Sequence, residues 1–131
     1  MNKPPTSDRS SSVLPLQVGA VESMSLEPTS YVTADNVLHG EPAERGTLVH
    51  TSGDGSFLVG VWSAEPYAET FPAGYPGDEF AQVIEGRLTL VDPDGSSQTF
   101  SAGDSYVMTK GWAGSFQVDT TFTKYFVLHL S

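Results

Sequence analysis

The chain contains no cysteine and few basic side chains. The absence of cysteine excludes disulfide bonds, thiolate nucleophiles and cysteine-ligated zinc or iron–sulfur sites. The 131 residues include 6 Lys or Arg against 16 Asp or Glu, which gives a formal net charge of −10 at pH 7. Because no basic cluster is present to displace counterions from phosphate groups, we expect no nucleic-acid partner and no binding to an anionic membrane.

Long apolar runs are missing as well. No stretch approaches the ~20 apolar residues that a transmembrane helix requires. Residues 1–12 are polar and rich in Pro, Ser and Thr, and they lack the apolar segment of a secretory signal peptide. We therefore predict a mobile tail at 1–12 and a cytoplasmic protein.

The residues that are present favour one all-β domain. The chain is 38% hydrophobic and 11% aromatic, with 13 Gly and 9 Pro. This composition is typical of a soluble domain built from short strands and turns. Residues 13–45 carry apolar side chains without a clear period, so we expect an irregular N-terminal extension that packs on the domain or on a partner subunit. The domain itself is expected at 46–131.

Short segments rich in β-branched and aromatic residues follow one another from residue 46 onward, separated by Gly, Pro and Asp. This pattern predicts strands joined by turns. The predicted strands are 47–51, 57–62, 79–84, 87–92, 97–100, 105–109, 115–119 and 123–130. So many strands in one small domain indicate a sandwich, a barrel or a jelly roll.

An ordered set of short motifs runs through these strands. In chain order the motifs are Trp62, Glu79, Glu85-Gly86, Gly103-Asp104, Lys110-Gly111, Phe116-Gln117-Val118 and Lys124-Tyr125-Phe126. The set resembles the cupin superfamily, and more narrowly the small single-domain cupins grouped with (S)-ureidoglycine aminohydrolase and the ethanolamine-utilisation cupin. The resemblance covers about residues 57–128. It implies a double-stranded β-helix, which is a jelly-roll barrel, and a homodimer paired through sheet edges.

The resemblance also raises the question of a metal. Metal-binding cupins hold a divalent metal with histidines and one glutamate, a ligand set that suits transition metals. If Glu79 takes the glutamate position, the histidine positions are occupied by Ala73, Tyr75 and Gly114. The three histidines of the chain, which lack metal-ligand spacing, are His39, His50 and His129. We therefore expect no metal cofactor.

Strand alternation places Glu79, Ala81 and Val83 on one face of their strand. The resemblance implies that this face looks into the barrel, where burial would raise the pKa of a carboxyl unless a cation lies nearby. Lys124, on a largely apolar strand, is the candidate cation. Two interpretations remain open. One is a structural ion pair, and the other is catalysis in which Glu79 is the acid or base while Lys124 and a tyrosine, Tyr75 or Tyr106, orient the substrate.

Further residues are candidates for ligand contacts. They are Trp62, Tyr106, Lys110, Trp112 and His129. An alternative role for the two tryptophans is packing in the core or at the rim. An alternative for His129 is a structural or surface role. Whether Tyr106 points inward is left open.

Three functions are consistent with these observations. The first is a metal-independent cupin that binds or acts on a small polar metabolite inside the barrel. The second is a metal-dependent hydrolase of C–N bonds resembling ureidoglycine aminohydrolase, against which the missing histidines weigh. The third is a non-catalytic accessory or sensor protein that uses the barrel interior only to bind.

Overall fold

The computed structural model describes residues 13–131, and the tail predicted at 1–12 lies outside the described residues. Two short 3-10 helices, Val18–Ser23 and Ala34–Asn36, accompany nine strands in this range. The strands are β1 Glu27–Pro28, β2 Val37–Gly40, β3 Arg45–Thr51, β4 Phe57–Ala64, β5 Tyr67–Thr70, β6 Asp78–Val91, β7 Ser97–Ser101, β8 Ser105–Met108 and β9 Ser115–His129. No helix among these residues is long and apolar enough to cross a membrane.

The strands form one antiparallel sheet that curls into two facing layers. The second half of β9 lies between β4 and the first half of β6, and β8, β3 and β1 extend that layer outward. The first half of β9 lies between β5 and the second half of β6, with β2 and β7 outside them. This arrangement is the predicted cupin jelly roll, in which β6 and β9 run through both layers.

Two pairs of predicted strands are in fact single long strands. The predicted strands 79–84 and 87–92 are both part of β6, and 115–119 and 123–130 are both part of β9. The Glu-Gly pair at 85–86 does not separate two strands as predicted. It is an irregularity within β6 where the β6–β9 register shifts. Gly86 has a φ of 88°, and a Cβ there would lie 2.1 Å from the Thr121 carbonyl oxygen.

Three short strands were not predicted from the sequence. β1, β2 and β5 are two to four residues long, too short for alternation to stand out. β1 pairs with β3 and β2 pairs with β5, so part of the segment 13–45 is hydrogen-bonded to the barrel. Farther toward the N-terminus, the Tyr125 hydroxyl donates to the Gln17 carbonyl oxygen at 2.6 Å.

The core lies between the two layers and is rich in aromatic rings. Trp62 packs edge-on against Tyr67, Phe116 and Phe122 with centroid distances of 6.0–6.4 Å. Leu88 closes the core from β6 with no exposed surface. Edge-to-face contacts of this kind stabilise a core beyond the apolar area that they bury. Three of these rings, Trp62, Tyr67 and Phe116, also line the cavity described next.

Candidate functional site

One end of the barrel holds a cavity of about 350 Å³. Its apolar walls come from both layers and include Leu58, Phe116 and Phe126. Its rim is formed by two loops, 31–33 and 71–76. A largely apolar cavity with a few polar groups is the usual form of a small-molecule site. The polar groups that line it are therefore the candidate functional groups.

Glu79 and Lys124 meet in this cavity. Lys124 Nζ lies 2.6 Å from Glu79 Oε2, and the side chains are 6% and 2% exposed, respectively. The two groups come from neighbouring strands. Glu79 is the first inward-facing residue of β6, and Lys124 on β9 pairs with Val83, which is also an inward-facing residue of β6. The predicted inward face of Glu79, Ala81 and Val83 is confirmed, because all three are 2% exposed or less.

Two tyrosines complete the hydrogen bonding of this pair. The Tyr75 hydroxyl donates to Glu79 Oε1, and Lys124 Nζ donates to the Tyr106 hydroxyl at 3.3 Å. Tyr106 is 6% exposed, so its strand face points inward. We call these four residues, Glu79, Lys124, Tyr75 and Tyr106, the polar tetrad.

Aromatic faces surround the ammonium group of Lys124. The Nζ atom lies 5.3 Å from the Trp62 ring centroid and 5.4 Å from that of Phe116. At these distances the negative faces of the rings stabilise a buried cation. Lys124 is thus held in place by a carboxylate, a hydroxyl and two rings.

Three members of the tetrad, Lys124, Tyr75 and Tyr106, have raised pKa values. Burial acts to lower the pKa of Lys124, but the Glu79 carboxylate and the two tyrosines outweigh it and raise the pKa. Burial is the largest cause that raises the pKa of Tyr75, and the charge of Glu79 adds to it. Burial likewise raises the pKa of Tyr106 to about 12, with Lys124 acting in the opposite direction. At neutral pH all three groups therefore keep their protons.

A second carboxylate, Glu69 on β5, lines the same cavity and was not identified from the sequence. Its side chain accepts a hydrogen bond from the Tyr67 hydroxyl on Oε2. Burial raises the pKa of Glu69; the Tyr67 hydrogen bond lowers it, and the charge of Glu44 raises it further. The short motif YAET carries no spacing that marks Glu69, so only the strand pairing reveals it.

Glu44 anchors the rim loop of the cavity. Its Oε1 accepts hydrogen bonds from the Trp62 indole at 3.0 Å and from the Thr29 hydroxyl at 2.8 Å. The backbone N–H groups of Tyr31 and Val32 donate to the same carboxylate. Because Tyr31 and Val32 also line the cavity, Glu44 connects the wall residue Trp62 to the rim.

Four predicted ligand contacts do not line the cavity, and of these Tyr106 is connected to the cavity through its hydrogen bond with Lys124. Lys110 is exposed, and its Nζ donates to the Ser131 carbonyl oxygen at 2.8 Å. Trp112 packs on Phe71 and donates its indole N–H to Asp92 at 2.8 Å, so it supports the rim from outside. His129 is exposed because it follows the inward-facing Leu128 on β9 and so points outward.

The positions that correspond to metal-binding histidines have no room or no donor. A Cβ on Gly114 would lie 2.1 Å from the Val91 carbonyl oxygen and 2.4 Å from the Trp112 ring. Ala73 lines the cavity without a ligand atom, and Tyr75 is engaged with Glu79. Within residues 13–131 no group of three or more His, Cys, Asp or Glu side chains is arranged to hold a metal ion.

Comparison with known proteins places the fold in a family. A family model described as a EutQ-like cupin domain matches residues 51–126. No curated protein matches the chain.

Several solved structures share the fold. One is a protein of unknown function from Pseudomonas syringae pv. tomato that belongs to the DUF861 family, with 24% identity and a TM-score of 0.73 over 80% of this chain and 44% of that one. A putative ethanolamine utilization protein Q from Salmonella typhimurium has 24% identity and a TM-score of 0.58 over 66% of this chain and 69% of that one. The EutQ protein of Clostridium difficile has 19% identity and a TM-score of 0.58 over 79% of this chain and 82% of that one. This chain therefore spans less than half of the Pseudomonas protein.

Proposed function

The chain belongs to the EutQ-like cupin domain family, and from that premise we propose that it binds a small polar metabolite inside the barrel without a metal ion. The observation that carries the proposal is that three members of the polar tetrad, Tyr75, Glu79 and Lys124, line a cavity that is otherwise largely apolar. An ion pair buried in this way contributes little net stability compared with well-packed apolar side chains. Its presence at a cavity is better explained by recognition of a ligand.

The protonation of the tetrad favours binding over proton transfer. A general acid or base works best when its pKa lies near the working pH. The pKa values of Lys124, Tyr75 and Tyr106 are all raised, to about 12 for Tyr106. Lys124, Tyr75 and Tyr106 therefore keep their protons at neutral pH, which suits groups that orient a ligand by hydrogen bonds.

The hydrogen-bond partners of Glu79 favour a site without a metal ion. A metal-binding carboxylate needs a free oxygen directed at the ion, but Lys124 occupies Oε2 and Tyr75 occupies Oε1. The ammonium group thus supplies the positive charge that a metal would supply. With no imidazole at positions 73, 75 and 114, the donor set does not fit a divalent transition metal.

Metal content is the first test. We expect untagged protein, purified without chelators, to contain far less than one equivalent of manganese, iron, zinc or nickel when measured by inductively coupled plasma mass spectrometry. Stoichiometric metal would overturn metal independence and favour the C–N hydrolase interpretation.

Ligand binding is the second test. Ligand-observed NMR with a set of small amines, alcohols, amides and carboxylates should give binders that compete with one another for the wild-type protein. Leu58→Trp should abolish this binding because Leu58 lines the cavity. Leu48→Trp is the matched control, since Leu48 is 43% exposed and the same ring is added outside the cavity.

Each result of this experiment decides something. Loss of binding in Leu58→Trp with retention in Leu48→Trp supports a ligand site in the barrel. Absence of any binder to the wild-type protein, or binding that survives Leu58→Trp with an unchanged affinity, would overturn the proposal. Circular dichroism verifies that both variants are folded.

A further inference from the structure

Glu69 has an acceptor atom that receives no hydrogen bond from the part of the chain that the structure describes. The residue is 6% exposed and lines the cavity, so its carboxylate faces the space that a ligand would occupy. Tyr67 donates to Oε2, and among residues 13–131 no hydrogen bond reaches Oε1. A buried acceptor left without a donor costs about 1–3 kcal/mol. A ligand that carries an N–H donor would remove this cost.

The charges in the cavity favour a cation. Two carboxylates line it, Glu69 and Glu79, against one ammonium group, Lys124. Lys124 is paired with Glu79 and acts on Glu69 only from a greater distance, and no basic side chain among residues 13–131 forms an ion pair with Glu69. An anionic ligand would face this charge at close range in a site of low dielectric constant, where like charges repel strongly. The net charge of −10 also attracts cations toward the protein.

The walls near Glu69 suit the organic part of such a ligand. Tyr67, Phe71 and Phe116 line the cavity, and the Tyr67 and Phe116 rings have centroids 6.4 Å apart. Rings attract a cation through their faces and bury the carbon atoms attached to it. The cavity volume of about 350 Å³ is small, so the ligand has few carbon atoms.

We propose that the ligand is a small primary or secondary organic ammonium ion, whose charged nitrogen donates to Glu69 Oε1 while its carbon atoms contact the aromatic wall. This inference rests on the proposed function, because it names the class of molecule that the cavity binds. Tyr75, Glu79 and Lys124, which line the cavity, then contact the other polar end of the ligand.

Three probes of equal length test the charge preference: n-butylammonium, n-butanol and butyrate, titrated by ligand-observed NMR at neutral pH. We expect n-butylammonium to bind about tenfold more tightly than n-butanol, the effect of one charge-assisted hydrogen bond, and butyrate to bind most weakly. Glu69→Gln should reduce the affinity for n-butylammonium about tenfold and leave n-butanol unchanged. Glu22→Gln is the matched control, because it removes the same charge from an exposed position.

The outcomes separate the ligand class from the proposed function. If n-butanol or butyrate binds as tightly as n-butylammonium, or if Glu69→Gln keeps the full preference, the ammonium assignment is wrong while ligand binding in the barrel stands. If no probe binds the wild-type protein, the ammonium assignment is overturned, while the proposed function is decided separately by the wider set of ligands. The ranking of probes on the wild-type protein needs no variant, so a folding defect in Glu69→Gln would leave the test intact.

Discussion

At the scale of single residues, the molecule is distinguished by charges buried in a small apolar barrel. Lys124 is 5% exposed and Glu79 is 2% exposed, and each is the ionic partner of the other. Glu44 is 8% exposed and is held by donors alone. Because desolvation of a charge is costly, each of these groups depends on its partners. Removal of one partner should therefore cost more than removal of both.

Lys124→Met should lower the free energy of unfolding by about 3–5 kcal/mol, because it leaves the Glu79 carboxylate buried without a cation. The double variant Lys124→Met/Glu79→Gln should recover much of this loss. Urea denaturation at neutral pH measures both. Lys110→Met is the control, since Lys110 is exposed and its replacement should change the stability by no more than about 0.5 kcal/mol. Equal losses in the two single lysine variants would contradict the prediction.

Glu44 makes the stability depend on pH. Burial acts to raise its pKa, but the hydrogen bonds from Trp62, Val32, Thr29 and Tyr31 outweigh it and hold the pKa below the ordinary value of 4.5. A lowered pKa in the folded state contributes stability above the ordinary value, and this contribution is lost as the pH falls through the folded-state pKa.

Glu44→Gln should therefore destabilise the protein by about 1.5–3 kcal/mol at neutral pH, the contribution of hydrogen bonds to a charged group. The difference between wild type and variant should shrink as the pH falls below 4.5. Denaturant midpoints measured across this range provide the check, with Glu22→Gln as an exposed control. A difference that stays constant with pH would show that the carboxylate charge does not matter.

At the scale of elements, two long bent strands organise the barrel. β6 and β9 pass through both layers and pair with each other on either side of the register shift at residues 83–88. The bend in β6 needs close contact between the backbones, and Gly86 makes this possible because it has no Cβ. Glu79 and Lys124 lie on the same side of this bend, in one layer, where the β6–β9 register brings them together.

Gly86→Ala should be far more destabilising than Gly95→Ala. Both glycines have a positive φ, 88° and 93°, so each alanine carries a backbone cost of about 1–2 kcal/mol. A Cβ on Gly86 would additionally meet the Thr121 carbonyl oxygen at 2.1 Å, whereas nothing lies within 4 Å of a Cβ on Gly95. Thermal unfolding of the two variants isolates the steric contribution. Similar melting temperatures would mean that the bend in β6 relaxes easily.

At the scale of the whole molecule, the excess of carboxylates dominates. A net charge of −10 on 131 residues makes the folded state repel itself, and salt screens this repulsion. The homodimer expected from the cupin resemblance stays a prediction, which light scattering of the untagged protein would test. The cytoplasmic location also stays a prediction.

Sodium chloride should stabilise the protein. Raising its concentration from about 0.02 M to about 0.3 M shortens the Debye length to below 10 Å and should increase the melting temperature by about 2–5 °C near neutral pH. The effect should vanish near pH 4.4, where the net charge is close to zero. A melting temperature that is insensitive to salt at neutral pH would mean that self-repulsion contributes little. Differential scanning calorimetry is the measurement.

The sequence by itself determined the all-β fold class and placed Glu79, Ala81 and Val83 on one face of their strand. These follow from local rules, because alternation along a strand sets the direction of each side chain and turn residues mark where strands end. The cupin family and the inward direction of that face were implied by the resemblance of the motifs to known cupins. The pairing of Lys124 with Glu79 was also within reach, since a lone lysine on an apolar strand needs a partner. Its role as a structural pair or as part of a ligand site was left open.

Only the tertiary structure decided which polar groups share the cavity. Glu69 and Glu44 lie on segments without a distinctive motif, and they meet Tyr67 and Trp62 through strand pairing and burial. Lys110, Trp112 and His129 carry chemically suitable groups but lie outside the cavity, because turn geometry and strand alternation direct them elsewhere. The sequence identifies individual donors and acceptors, but only the tertiary structure determines which of them lie close enough to act together.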